Sequence, residues 1–322
     1  MSTIYADSIS SCANCGKGGE GDNDIQLKTC TACKLVKYCS RECQIAHRPQ
    51  HKRECKKRAK ELHDEKLFEQ HPPLEDCPIC MVRLPTLVAA QSYMACCGKI
   101  ICSGCLHAVQ SGAVKEEDDV CPFCRTPPVN SGEDLIPRYK KRIDLNDPIA
   151  VSALGDFYSR GLYGLQQNQA KALELYHQAG ALGCAEAYYN IGIIYENGRG
   201  VDLDKKKAKH YYELAAMSGV VEARNNLGAF EMRAGNRNRA LKHWNTAVEG
   251  GNKNSLENIK RLYMKGDATK EDYATALGKY QEYVDEIRSV QGMKQLHLMI
   301  RVSTINNRPI HHLLPITIDS LV

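Results

Sequence analysis

The sequence predicts small cysteine-stapled modules followed by an all-α solenoid of helix-pair repeats, and three observations carry that prediction. Of the 16 cysteines in 322 residues, 15 lie between Cys12 and Cys124, and Cys184 alone follows. Most of the 15 come in close pairs, and His51 completes the first half of the series. From about Asp147 the text changes to Ala, Leu, Tyr and Gly at helical spacing, and it repeats at intervals of 37 and then 36 residues, Gly155 to Gly192 to Gly228.

Composition narrows the class. Apolar residues at 43% and charged residues at 25% fit an ordinary globular chain and argue against disorder, collagen-like and membrane classes. No run approaches the roughly 18 apolar residues that span a bilayer, so no membrane partner is expected. The opening MSTIYADSISS has neither a basic start nor an apolar stretch, which points to an intracellular setting, cytoplasmic or nuclear. Thiols stay reduced there, and close cysteine pairs are more often metal ligands than disulfides. The net charge of +5 does not by itself imply nucleic acid. Lys28 to Lys66 holds 12 basic against five acidic residues without interleaved aromatics, so a solvated basic helix is expected rather than a nucleic-acid partner.

The first cysteine block offers eight ligand-type residues: Cys12 and Cys15, Cys30 and Cys33, Cys39 and Cys43, His51 and Cys55. Structural zinc takes four N or S donors in a tetrahedron, so eight donors make two closed sites. The run Tyr38-Cys39-Ser40-Arg41-Glu42-Cys43-Gln44 with His51-Lys52-x2-Cys55 resembles the MYND zinc finger over residues 12–55. The resemblance implies interleaved sites: Cys12, Cys15, Cys39 and Cys43 for one zinc, Cys30, Cys33, His51 and Cys55 for the other. It also implies proline-containing peptides as partners, with Arg48 standing where the family commonly carries an aromatic. His47 is outside the ligand pattern and is expected to be an exposed side chain.

Residues 56–76 read as a basic helical linker ending at His71-Pro72-Pro73, since each proline biases its predecessor away from helix. The second block then runs Cys77-x2-Cys80, Cys96-Cys97, Cys102-x2-Cys105, Cys121-x2-Cys124, eight cysteines again. Over residues 77–125 it resembles a RING finger. That resemblance assigns Cys77, Cys80, Cys102 and Cys105 to one zinc, and Cys121, Cys124 and the Cys96/Cys97 pair to another. Lys99 stands where most RING fingers have a His, so the second site rests on two adjacent cysteines, a sterically awkward pair, with His107 as the other candidate donor. One to two zinc ions are expected here. Ile79, Pro122 and Arg125 match the positions with which the family contacts a ubiquitin-conjugating enzyme and its ubiquitin.

Residues 126–146, with Pro127-Pro128 and Asn130-Ser131-Gly132, read as a second linker. The repeats follow over 147–288. Ala153-Leu154-Gly155-x2-Tyr158-x2-Gly161 recurs as Asn190-Ile191-Gly192-x2-Tyr195-x2-Gly198. Lys171-Ala172-x3-Tyr176-x2-Ala179 recurs as Lys207-Ala208-x3-Tyr212-x2-Ala215 and as Arg239-Ala240-x3-Trp244-x2-Ala247. Small and aromatic residues three and four apart make each unit a helix pair. The array resembles the Sel-1-like repeats, relatives of tetratricopeptide repeats, which implies a surface that organises partner proteins. It is expected to fold without metal. The tail, 289–322, carries no repeat signature.

Two functions follow from these resemblances. One is a RING-type ubiquitin ligase whose MYND finger or repeats choose the substrate; the other is a non-catalytic adaptor in which fingers and repeats only bind partners. Neither needs a catalytic residue on the chain itself, because a RING finger acts by positioning.

Overall fold

The computed structural model describes residues 11–18, 26–69, 75–86, 90–110, 120–129 and 132–286. The expected tail at 289–322 lies outside these.

Through residue 70 the chain forms one compact unit. Strands β1 (Lys28–Thr29) and β2 (Lys37–Tyr38) pair antiparallel, with Lys28 opposite Tyr38. Helix α1 then runs over Arg41–Leu67, 27 residues or about 40 Å at 1.5 Å per residue. Ser40 caps it by accepting from the Cys43 N–H at 3.3 Å. The helix anticipated within a 56–76 linker is therefore the second half of a finger helix. Pro49 sits inside it, at a position where its missing N–H leaves the Ile45 carbonyl without its usual donor. The buried core holds Cys12, Cys30, Cys33 and Tyr38, so three of its four members are ligand-type cysteines.

From residue 71 onward a second compact unit begins with a hairpin, β3 (Gln91–Met94) against β4 (Lys99–Cys102), followed by α2 (Ser103–Gln110). The 126–146 stretch, expected as a linker, contains a helix, α3 (Gly132–Ile143). Ile136 is buried, and Leu135, Tyr139 and Ile143 pack beside it on the core of the following helices. Their spacing is helical; the Pro and Gly turn signals before them hid it.

The helix pairs then follow in order. They are α4 (Pro148–Arg160) with α5 (Gln169–Ala181), α6 (Ala185–Asn197) with α7 (Lys205–Met217), and α8 (Val221–Arg233) with α9 (Arg237–Glu249). A fourth pair is α10 (Lys253–Met264) with α11, residues 270–286. The repeated glycine has a packing reason. A Cβ on Gly192 would lie 2.5 Å from the Tyr212 ring, and Gly155 with Tyr176 and Gly228 with Trp244 show the same approach at 2.8 and 2.4 Å. Each aromatic of a second helix fills the space a Cβ would take on the first, which is how the two come close enough to bury Ala172, Ala208 and Ala240 completely.

Candidate metal centres

Sixteen ligand-type residues converge into four groups. They are Cys12, Cys15, Cys39 and Cys43; Cys30, Cys33, His51 and Cys55; Cys77, Cys80, Cys102 and Cys105; and Cys96, Cys97, Cys121 and Cys124. Within each group the donor atoms all lie within 4.8 Å of one another. Four sulfurs about 2.3 Å from one tetrahedral zinc lie about 3.8 Å apart. The separations fit: 3.5 Å for Cys15 and Cys39, 3.9 Å for Cys30 and Cys55, 3.8 Å for Cys80 and Cys102, 3.7 Å for Cys97 and Cys121. A disulfide would bring its sulfurs to about 2.05 Å. The donor sets, all sulfur or sulfur with one imidazole, are those of structural zinc, with no donor place left for water.

Every group combines two kinds of local structure. One pair comes from a tight Cys-x2-Cys turn in which the residue after the second cysteine donates its N–H back to the first. Gly16 to Cys12, Lys34 to Cys30, Met81 to Cys77 and Arg125 to Cys121 do so at 2.9, 3.0, 2.7 and 2.9 Å. Those four residues are left-handed, with φ of 73°, 59°, 56° and 55°. The turn aims both sulfurs to one side. The other pair comes from a helix or a hairpin: Cys39 and Cys43 at the start of α1, His51 and Cys55 one turn apart on it, Cys102 and Cys105 where β4 passes into α2, and Cys96 and Cys97 in the β3–β4 turn.

The adjacent pair, awkward on paper, is accommodated by that turn. In a strand neighbouring side chains point to opposite faces. Here both the Cys97 and Gly98 N–H groups donate to the Met94 carbonyl, at 3.1 and 2.8 Å, and Gly98 takes φ 77°. The tightened backbone brings both sulfurs to Cys121 and Cys124. His107, the other candidate donor, is exposed on α2 and outside the group, and Lys99 is exposed on β4.

Without a cation these thiols could not all ionise. The Cys105 hydrogen bond holds Cys102 down to about 5, while Cys105 itself is pushed far up by the same bond and by burial. Burial and the hydrogen bonds of Cys121 and Cys124 raise Cys96. A dication removes that conflict by taking all four thiolates at once.

One residue is placed differently from its expectation. His47 is half-buried, its Nδ1 3.0 Å from the Tyr38 hydroxyl and its ring stacked on His51 at 5.6 Å and 10°. Lying one helical turn before His51, it props the ligand ring; the i, i+4 spacing was the available signal. Among the three positions matched to enzyme contact, Ile79 is half-buried on the cluster of Cys77, Leu84 and Ile101, whereas Pro122 and Arg125 are exposed.

Comparison with known proteins agrees with two of the three modules. Residues 12–55 match the MYND finger, and residues 148–184 and 185–220 match the Sel1 repeat. The first finger is similar to the zinc finger MYND domain-containing protein 10 homolog of Drosophila melanogaster, 48% identical over 50 residues, 13% of this chain and 11% of that protein. An uncharacterized protein of Neisseria meningitidis, NMB1327, is 31% identical over 159 residues, 47% of this chain and 32% of its own. The ERAD-associated E3 ubiquitin-protein ligase component HRD3 of Candida glabrata is 31% identical over 121 residues, 38% of this chain and 13% of its own. The chain thus spans about a third or less of the length of these relatives. A Sel1 repeat protein from Oxalobacter formigenes is a similar solved structure, with TM-score 0.41 and 28% identity over 49% of this chain and 64% of that one.

The chain therefore carries a MYND finger and Sel1 repeats, modules that mediate protein–protein interaction, with a further cysteine-rich centre between them. The third helix pair, α8–α9, lies beyond the matched residues and keeps the glycine-under-aromatic contact. No helix among the described residues is long and apolar enough to cross a membrane.

Proposed function

We propose that the four groups hold four zinc ions and that the second finger is a RING-type docking platform for a ubiquitin-conjugating enzyme, with the MYND finger and the helical array recruiting substrates. The observation that carries this reading is the crossed order of the second block. Its first cysteine pair, 77 and 80, groups with its third, 102 and 105, and its second, 96 and 97, with its fourth, 121 and 124. That order is the one the RING resemblance implies, and simple sequential pairing would not produce it. Pro122 and Arg125 are exposed and Ile79 is half-buried. On this reading Ile79 and Pro122 give the enzyme an apolar seat, and the Arg125 guanidinium hydrogen-bonds ubiquitin so that the thioester is held for attack. The similarity to HRD3, which is named as an E3 ubiquitin-protein ligase component, supports a setting in ubiquitin transfer.

Purified full-length protein with activating enzyme, a panel of conjugating enzymes and ubiquitin tests it. Chains should form, and Ile79→Ala or Arg125→Ala should reduce them at unchanged zinc content. A second reading, a non-catalytic adaptor, is favoured by one departure: Leu106 to Val120 contains no Trp where RING fingers often have one. Absence of chain formation across the panel establishes that reading instead, and full activity of both variants overturns the roles given to Ile79 and Arg125.

A further inference from the structure

The second finger and the repeats meet around one carboxylate. Asp147 is 9% exposed and precedes α4. Its Oδ1 accepts from the Ile149 and Ala150 N–H groups at 3.1 and 3.4 Å, capping the first helix of the array. Its Oδ2 accepts from Arg142 of α3, Nε at 3.0 Å and Nη2 at 2.7 Å, and from the Tyr93 hydroxyl of the finger's β3 at 2.7 Å. One side chain thus joins finger, connecting helix and first repeat.

Three more contacts lie round it. The Arg142 guanidinium covers Gly98, the residue after Cys97, so closely that a Cβ there would sit 2.3 Å from Nη2. The Tyr93 ring meets Tyr139 of α3 at 5.8 Å, and Tyr139 meets Phe157 of α4 edge-on at 5.0 Å. Arg138 of α3 donates to the Pro127 carbonyl, three residues past Cys124, at 2.7 Å. The hairpin turn that presents Cys96 and Cys97, and the segment that follows Cys121 and Cys124, are therefore both tied to α3. These four cysteines are the fourth donor group.

We propose that the second finger and the first helix pair form one cooperative unit coupled through Asp147, so that zinc in the Cys96, Cys97, Cys121 and Cys124 group holds α3 and α4 in place. The inference rests on the zinc reading above. Metal that fixes the 95–98 turn fixes Gly98 under Arg142 and Tyr93 against Asp147. Linkage makes the effect reciprocal: whatever orders α4 also tightens the finger's hold on its metal. The coupling fades along the array, because each repeat meets only its neighbours. It also gives the finger a fixed place relative to the repeats, so a partner held by the array would meet the Pro122 and Arg125 surface in a defined geometry rather than on a tether. The array's expected independence of metal then fails for its first pair alone.

Hydrogen exchange on the full-length protein, with zinc counted by elemental analysis, provides the test. Chelation should speed amide exchange across 148–181 at least tenfold and leave 221–249 within twofold of its starting rate. Asp147→Asn retains a good cap, since Asn caps helices as well as Asp, but loses the charge that Arg142 and Tyr93 bind. In the zinc-loaded variant, α4 should exchange as fast as in chelated wild type. Tyr93→Phe, which keeps the ring, should give a partial effect in the same direction. Zinc that leaves while α4 exchange stays constant overturns the coupling and spares the zinc reading; so does wild-type exchange in both variants. A chain that never holds metal at the fourth group overturns both.

Discussion

The fingers and the repeats solve the same problem, holding a short chain segment in one shape, by opposite means. In the first finger three of the four residues of the buried core cluster are ligand-type cysteines, with Tyr38 the fourth and Leu27, Leu35 and Val36 only partly buried against it. In the array the buried set is mostly alanine, aromatic and aliphatic, with a few polar and charged groups such as Arg224 and Glu231, and the one cysteine, Cys184, is a buried helix N-cap with its thiol pushed up to about 12 by burial. The fingers concentrate their stability in a few bonds, so one side chain decides whether they fold. The array spreads it over many small contacts, and its single changes are graded. Trp244, the only tryptophan, is buried in α9 and so reports the array by fluorescence without a finger signal.

The largest effect that can break this contrast is loss of a ligand. Cys33 is fully buried with its sulfur 3.1 Å from His51 Nε2. Structural zinc supplies about 10 to 16 kcal/mol of apparent folding free energy in small fingers, which matches or exceeds the stability of a whole domain. Cys33→Ser should therefore unfold the first finger, lower zinc by one to two ions per chain, and leave the Trp244 melting transition where it was. A shifted Trp244 transition would show that the two regions do not stand apart.

Next in size is the buried charge of the array. Glu231, 1% exposed on α8, accepts from Lys209 Nζ of α7 at 2.7 Å, Arg239 Nε of α9 at 3.0 Å and Asn236 Nδ2 at 2.8 Å. Removing one partner of a fully buried set costs about 3 to 5 kcal/mol. Since Lys209 and Arg239 keep 37% and 23% of their side-chain exposure, Glu231→Ala should cost less than that, lowering the Trp244 transition and leaving zinc content unchanged. Burial alone would raise the Glu231 pKa, but the hydrogen bonds from Lys209 and Asn236 outweigh it and hold the carboxyl below its ordinary range. A depressed carboxyl stabilises the fold above its unfolded pKa of about 4.3 and stops doing so as pH falls through the lower folded value. Melts followed by Trp244 from pH 7 to pH 3 should converge for wild type and Glu231→Gln at the acid end.

A smaller effect tests the repeat contact itself. Gly192→Ala places a methyl 2.5 Å from the Tyr212 ring, and overpacking of this kind costs about 1 to 3 kcal/mol. Trimming the ring in Gly192→Ala/Tyr212→Leu should recover part of the loss beyond additivity, since residues in contact couple. Strictly additive changes would mean that the glycine is there for some other reason.

These contacts also mark what was legible in the sequence. The repeat period was, because every unit needs the same glycine and aromatic at the same places, and packing imposed on each unit leaves a visible copy. The composition of the donor groups was as well, because zinc demands residue types that little else does. What escaped were single-copy features. Asp147 reads as one more turn aspartate, and Tyr93 and Arg142 as unremarkable strand and helix residues; only the fold brings them within hydrogen-bonding reach. Helix α3 was hidden by the prolines and glycine that precede it, and Pro137 lies within it. His47 looked idle because its role is to touch another side chain rather than a metal.

The smallest effect concerns backbone strain, and here the two regions differ again. The turns at 183, 198, 219, 235, 251 and 266 in the array put glycine at their left-handed positions, with Tyr163 at φ 56° the exception, whereas three of the four Cys-x2-Cys turns place Lys34, Met81 and Arg125 there and the fourth places Gly16. A left-handed L-residue costs roughly 1 to 2 kcal/mol, which a turn pinned by four ligands can absorb. Met81 allows the cleanest test, being 73% exposed, so that its side chain contributes little packing. Met81→Gly should relieve the strain, and the added freedom of the unfolded chain returns about 0.4 to 1 kcal/mol of that gain. The net should be a stabilisation of about 0.5 to 1 kcal/mol, read as a twofold to fivefold slower loss of zinc to a chelator from the Cys77, Cys80, Cys102 and Cys105 group. Faster loss would mean that the methionine side chain holds the turn, and that the fingers, like the array, depend on packing at this position.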